Sequence, residues 1–115
     1  GFPSPADDDV EGRLDLNQHL IRHPAATFFV RASGESMLGA GIHPGDLLVV
    51  DRALEPIHGK VVIAVVNGEL TVKRLCIREG QVRLLAENER YAPIVLSGDM
   101  DLQIWGVVTN VIHPL

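Results

Sequence analysis

The sequence predicts a mainly β domain of twisted antiparallel strands with one short helix and an extended amino-terminal arm. Three observations predict it. Apolar, β-branched runs recur at 27–32, 46–51, 61–66, 69–77, 81–86 and 102–112, and runs of that length and composition suit half-buried strands. Asn67-Gly68 separates two of these runs and supplies the two positive-φ residues of a type I′ hairpin turn. A single stretch with helical spacing lies between Asp15 and Pro24.

In chain order, residues 1–14 form the arm. Residues 1–12 hold two prolines, the acidic run Asp7-Asp8-Asp9 and little apolar matter beyond Phe2 and Val10, too little to pack a core. Residues 15–115 form the domain. Asp15 is the expected cap of a helix carrying Leu16, Leu20 and Ile21 on one face, and Pro24 ends it after His23. Beyond Ala26 the strand runs follow. His43-Pro44-Gly45-Asp46, His58-Gly59 and Ser97-Gly98-Asp99 mark turns between them.

The chain has 115 residues, 46% of them hydrophobic, which fits one domain with a modest core. A net charge of −5 leaves no broad basic surface and argues against strong direct DNA binding. The lone Cys76 forbids an internal disulfide and points to a reducing compartment, the cytoplasm. The apolar run 61–66 is too short to span a bilayer, so no membrane association is expected. The apolar strand ending the chain would be a pairing hazard if left open, and this predicts a homodimer with Trp105 to Ile112 at or near its interface.

Two residues suggest chemistry. Ser36 lies where the 27–32 strand breaks at Gly34, which lifts its hydroxyl out of the ladder. Lys73 sits mid-strand with apolar flanks, where desolvation favours a neutral amine able to take a proton from serine. Taken alone, the fragments fit a turn serine and a solvent-facing lysine better than catalysis. Thr71 leaves the same strand face as Lys73, and its reading is open between an orienting hydroxyl and a plain β-former. Among the other candidates, His19 and His23 stand four apart without a third ligand, and His43 and His58 sit in turns, so neither a metal site nor a histidine triad is expected. Cys76 reads as a small buried hydrophobe and Trp105 as a core or interface anchor.

Taken together, the segments 15–24, 27–37 and 41–51, then Glu69-Leu70-Thr71-Val72-Lys73, Tyr91-Ala92-Pro93-Ile94 and Gly106-Val107-Val108, resemble the UmuD-type members of the LexA-like serine–lysine autoprotease family. The likeness runs along nearly the whole chain. It implies a LexA/signal-peptidase-like β domain in which Ser36 is the nucleophile, Lys73 the general base, and the Glu35 and Ser36 backbone N–H groups the oxyanion donors. It also implies that Gly1 is the product end of a self-cleaved bond. No cofactor or metal is implied. The implied partners are a second copy of the chain, a UmuC-type Y-family polymerase with which the processed form makes DNA polymerase V, and components of the replicative polymerase. For the precursor, a RecA–single-stranded DNA filament triggers cleavage. The neighbouring possibility is the cleaved carboxy-terminal dimerisation domain of a LexA-type or phage repressor. The run Asp7-Asp8-Asp9 and Arg22 depart locally from the pattern and bear on partner affinity more than on chemistry.

Overall fold

In a computed structural model, residues 10–98 and 100–115 are described. Most of the expected arm, including Gly1 and the Asp7-Asp8-Asp9 run, and Asp99 of the third expected turn lie outside that set.

Helix α1, Leu16–Leu20, starts where expected: the Asp15 carboxylate accepts from the Asn17 backbone N–H at 2.9 Å. A 3₁₀ turn over Pro24–Ala26 leads into the sheet. The strands are β1 (Thr27–Arg31), β2 (Leu47–Asp51), β3 (Val61–Val66), β4 (Glu69–Arg78), β5 (Gln81–Leu85), β6 (Ile94–Val95) and β7 (Leu102–Ile112). All neighbouring pairs are antiparallel, in the order β1-β2-β7-β3-β4-β5-β6. Six of the seven strands match the apolar runs to within a residue at each end. The short β6, which pairs Arg83 with Val95 and Leu84 with Ile94, has no sequence signature. The β3–β4 hairpin closes through Asn67 at φ 49° and Gly68 at φ 82°, the pair of positive values that a type I′ turn needs.

β7 pairs with β2 over residues 107–112 along one edge and with β3 over 102–107 along the other, so strands of the same sheet cover about half of each edge and, among the described residues, the edge continuing from β3 is open over 108–112. Its two register shifts, opposite Val49/Val50 and Ile63/Ala64, are bulges that let one long strand serve two partners. Trp105 sits at one of them, half-buried, with its ring centroid 5.4 Å from that of Phe28 and 4.6 Å from the Arg52 guanidinium carbon. The outermost strands among the described residues are β1, with Phe28 and Phe29 exposed, and β6.

The core forms two clusters. One gathers Ala32, Met37, Ile42, Leu48, Val50 and Ile63, and the other Val62, Ala64, Leu75, Leu84 and Val107. The first lies directly beneath the Ser36 turn, through Met37. Cys76 is buried and unpaired, as expected of a small hydrophobe.

A buried carboxylate ties the helical segment to the sheet. Asp51 accepts from His23 Nδ1 at 2.6 Å and from the Ala53 N–H at 2.8 Å. Burial pushes its pKa up, but these hydrogen bonds outweigh it and hold the carboxyl below its ordinary value of 3.8. A folded-state pKa below the unfolded one contributes stability above 3.8 that is lost as pH falls through the folded value. Thermal melts from about pH 5 down to about pH 2 should therefore show a steep acid limb. Asp51→Asn should flatten part of that limb, and an unchanged limb would remove Asp51 from the account.

Candidate active site

Ser36 owes its position to a rigid turn. After β1 the chain leaves the ladder at Ala32, whose N–H donates to Asp46 O at 2.8 Å. Met37 is buried, and a 3₁₀ turn over Leu38–Ala40 closes on Gly41, whose φ of 80° favours glycine. Backbone bonds then pin this turn to the loop after β5: Glu87 N–H donates to Ser36 O and Gly39 N–H donates to Glu87 O, both at 2.8 Å. The Asn88 side-chain amide donates to Glu35 O at 2.8 Å, and Arg74 Nε donates to the Glu87 carboxylate. Sequence reasoning missed Glu87 and Asn88 because half of their clamp uses backbone atoms, which any residue type carries, and the rest depends on Arg74 and Glu35, which lie far away in sequence.

Gly39 fits this clamp because it has no side chain. A Cβ there would lie 2.7 Å from Glu87 O, a backbone atom that cannot swing aside. Gly39→Ala should destabilise the fold by about 1–3 kcal/mol, the usual cost of overpacking, and shift the Ser36 turn. Chemical denaturation measures the first effect, and loss of any Ser36-dependent activity the second.

Lys73 lies on β4 opposite Val62, with its side chain buried. Its Nζ has three oxygen partners: Thr71 Oγ1 at 2.7 Å, Ser36 Oγ at 3.0 Å and Val72 O at 3.1 Å. No carboxylate is among them. Desolvation by burial accordingly holds the ammonium's pKa below the ordinary lysine value. Three partners also suit the neutral amine, whose two N–H groups can donate to Thr71 Oγ1 and Val72 O. Its lone pair then faces the Ser36 hydroxyl, the arrangement a general base requires. Thr71 Oγ1 thus contacts the amine as an orienting hydroxyl would.

The pair opens onto a cleft of about 240 Å³ walled by Val30, Ala32, Met37, Ile42, Leu70 and Tyr91. β5 pairs with β4 only from Arg74 onward, so the preceding residues of β4 flank the cleft with a free strand edge. Among the described residues, the Glu35 and Ser36 N–H groups have no acceptor. An extended peptide lying in the cleft would meet apolar walls, strand-edge hydrogen-bonding groups and a serine hydroxyl facing an amine.

The histidines named from sequence lie away from this cleft. His23 bonds Asp51, His58 Nδ1 accepts the Ile77 N–H at 2.9 Å, and His19 lines a separate surface cavity. No helix among the described residues is long and apolar enough to cross a membrane.

Comparison with known proteins adds a lineage to this geometry. Residues 1–109 match the Peptidase S24-like family. The chain is 53% identical to Protein SamA of Salmonella typhimurium over 113 residues, 98% of this chain and 78% of that protein. It is 43% identical to Protein MucA of Escherichia coli over 118 residues, 100% of this chain and 80% of the relative. LexA repressor 1 of Geobacter sulfurreducens is 36% identical over 116 residues, 100% of this chain but 57% of the repressor.

Proposed function

Since the chain belongs to the Peptidase S24-like family, the LexA-like serine autoproteases, we propose that it derives from a precursor that cuts one peptide bond in its own amino-terminal arm. Ser36 is the nucleophile and Lys73 the general base. The observation that carries this reading is the 3.0 Å contact between Lys73 Nζ and Ser36 Oγ, made by a buried lysine with no acidic partner among the described residues. Residues 1–14 act as the arm, and 15–115 as the autoprotease and dimerisation domain.

The steps follow from the contacts. Ser36 Oγ attacks the scissile carbonyl carbon as its proton passes to Lys73 Nζ. The resulting oxyanion takes hydrogen bonds from the Glu35 and Ser36 N–H groups. Collapse breaks the C–N bond, and Lys73 returns the proton to the leaving amine. Water, deprotonated by the same amine, then hydrolyses the Ser36 ester. Thr71 Oγ1 and Val72 O aim the lone pair throughout.

The product serves as a homodimeric accessory subunit of translesion synthesis, joined to a UmuC-type polymerase in the SOS response of the bacterial cytoplasm. The RecA–single-stranded DNA filament acts on the precursor. High identity to SamA and MucA over most of their lengths favours this role. The alternative, a repressor's dimerisation domain, draws on the LexA likeness, but that alignment leaves a much larger share of the relative uncovered.

A precursor extended ahead of residue 1 by a short segment carrying the scissile bond tests the proposal. It should cleave itself slowly at alkaline pH and faster at neutral pH with RecA, ATP and single-stranded DNA. The processed chain should support lesion bypass only with its cognate polymerase. Cleavage that ignores both pH and filament would overturn the autoprotease reading; operator binding by the precursor would favour the repressor.

A further inference from the structure

At the end of the sheet formed by β1, β2 and the close of β7, three side chains converge that the proposed cleavage does not use. The turn from His43 to Asp46 is built by backbone bonds: Asp46 N–H donates to His43 O at 3.1 Å, and Gly45 N–H to Ala32 O at 2.9 Å. Arg31 Nη1 donates to Gly45 O at 2.9 Å and holds the turn from outside. The Asp46 side chain is buried, and its Oδ2 accepts the His43 backbone N–H at 2.8 Å. Across the ladder, Leu47 pairs with Ile112. The next residue outward on each strand is Asp46 on one and His113 on the other.

Both imidazoles turn the same nitrogen towards one carboxylate oxygen. His113 Nδ1 lies 3.1 Å and His43 Nδ1 3.6 Å from Asp46 Oδ2, and each residue offers one ligand atom within 4.8 Å of the others. The two rings stand edge to face, centroids 5.5 Å apart. Bonds of about 2.0–2.1 Å to a tetrahedral zinc ion set its ligand atoms about 3.3 Å apart. The two observed separations bracket that value. Two imidazole nitrogens and one carboxylate oxygen are also the donor set that borderline divalent ions prefer over calcium or magnesium. A shallow cavity bordered by Pro44, Gly45 and Pro114 leaves the fourth position open to water.

We propose that His43, Asp46 and His113 bind one divalent transition-metal cation of the zinc type. Each ring ligates through Nδ1 and keeps its proton on Nε2, so neutral imidazoles bind by a change of tautomer and no redox step is involved. The ion would fasten the end of β7 to the turn ahead of β2. It would act as a clip on the fold, remote from the Ser36–Lys73 pair.

The test uses the whole chain, free of affinity tags and treated with chelator, titrated with ZnCl₂ and separately with CoCl₂. One equivalent should bind, and the cobalt form should show the intense visible bands of a tetrahedral site. His43→Gln and His113→Gln should each weaken zinc binding by at least about tenfold, while His19→Gln should leave it unchanged. Imidazole proton resonances of the unmutated chain give a readout that does not depend on the variants folding: zinc should shift those of His43 and His113 and spare His19 and His58. Absence of saturable binding, binding unaltered in the His43→Gln/His113→Gln double variant, or shifts confined to other histidines would each overturn the site.

Discussion

Replacing Ser36 by alanine in the arm-bearing precursor should reduce self-cleavage by at least about a thousandfold, both at alkaline pH and with the RecA filament. The alternatives on the page are poor. Cys76 is buried on the opposite face of β4 from Lys73, and Thr71 lies on the regular β4 ladder, its Oγ1 already bonded to the same amine at 2.7 Å. The substitution removes one oxygen from a half-buried turn whose backbone clamp to Glu87 is intact, so the variant should fold normally. Product is read by gel and mass spectrometry over hours. Cleavage at the wild-type rate would show that another group attacks.

Lys73→Met should have an equally large effect on cleavage and the opposite effect on stability. In the wild type, only the neutral amine can accept the Ser36 proton. The rate should therefore rise with pH and level off below the ordinary lysine pKa of 10.5, because burial has lowered the folded value. Between the two values the unfolded chain binds more protons than the folded one, so stability rises with pH across that window and is depressed beneath it. Methionine keeps most of the side chain's volume and removes the buried charge. Stability at neutral pH should hold or increase by up to about 1 kcal/mol, and the alkaline slope should vanish. A variant that cleaves, or one that loses stability as a cavity mutant would, contradicts the roles assigned to the amine.

Much of this was legible before any coordinates. The six longer strands announced themselves through β-branched runs, and the β3–β4 hairpin through Asn67-Gly68, because both signals are local. Ser36 and Lys73 stood out by residue type and flanking context, although their 3.0 Å approach exists only once strands 37 positions apart are folded together. Other features carried no local signal. β6 is two residues long and depends on partners in β5. A strand buried between two neighbours has the same apolar composition as one at an edge, so the place of β7 in the sheet could not be read from its residues. His43 reads as a turn residue and nothing local singles out His113, since the ladder that brings His113 to Asp46 spans 67 positions.

The central seat of β7 has a bearing on when the molecule can act. In the hydrogen-bond ladder, β1 and β2 lie on one side of it and the β3–β4–β5 meander on the other. Serine and lysine thus belong to separate halves, and the strand that joins them is the last of the seven in chain order. A ribosome adding roughly 5–20 residues per second exposes the arm, the serine and the lysine while the joining strand is still unmade. Long-range closure of this kind is also slow compared with hairpin formation. A nascent or half-folded chain holds every group of the proposed reaction yet lacks the frame that brings them together, so the proposed self-cleavage waits until β7 is in place.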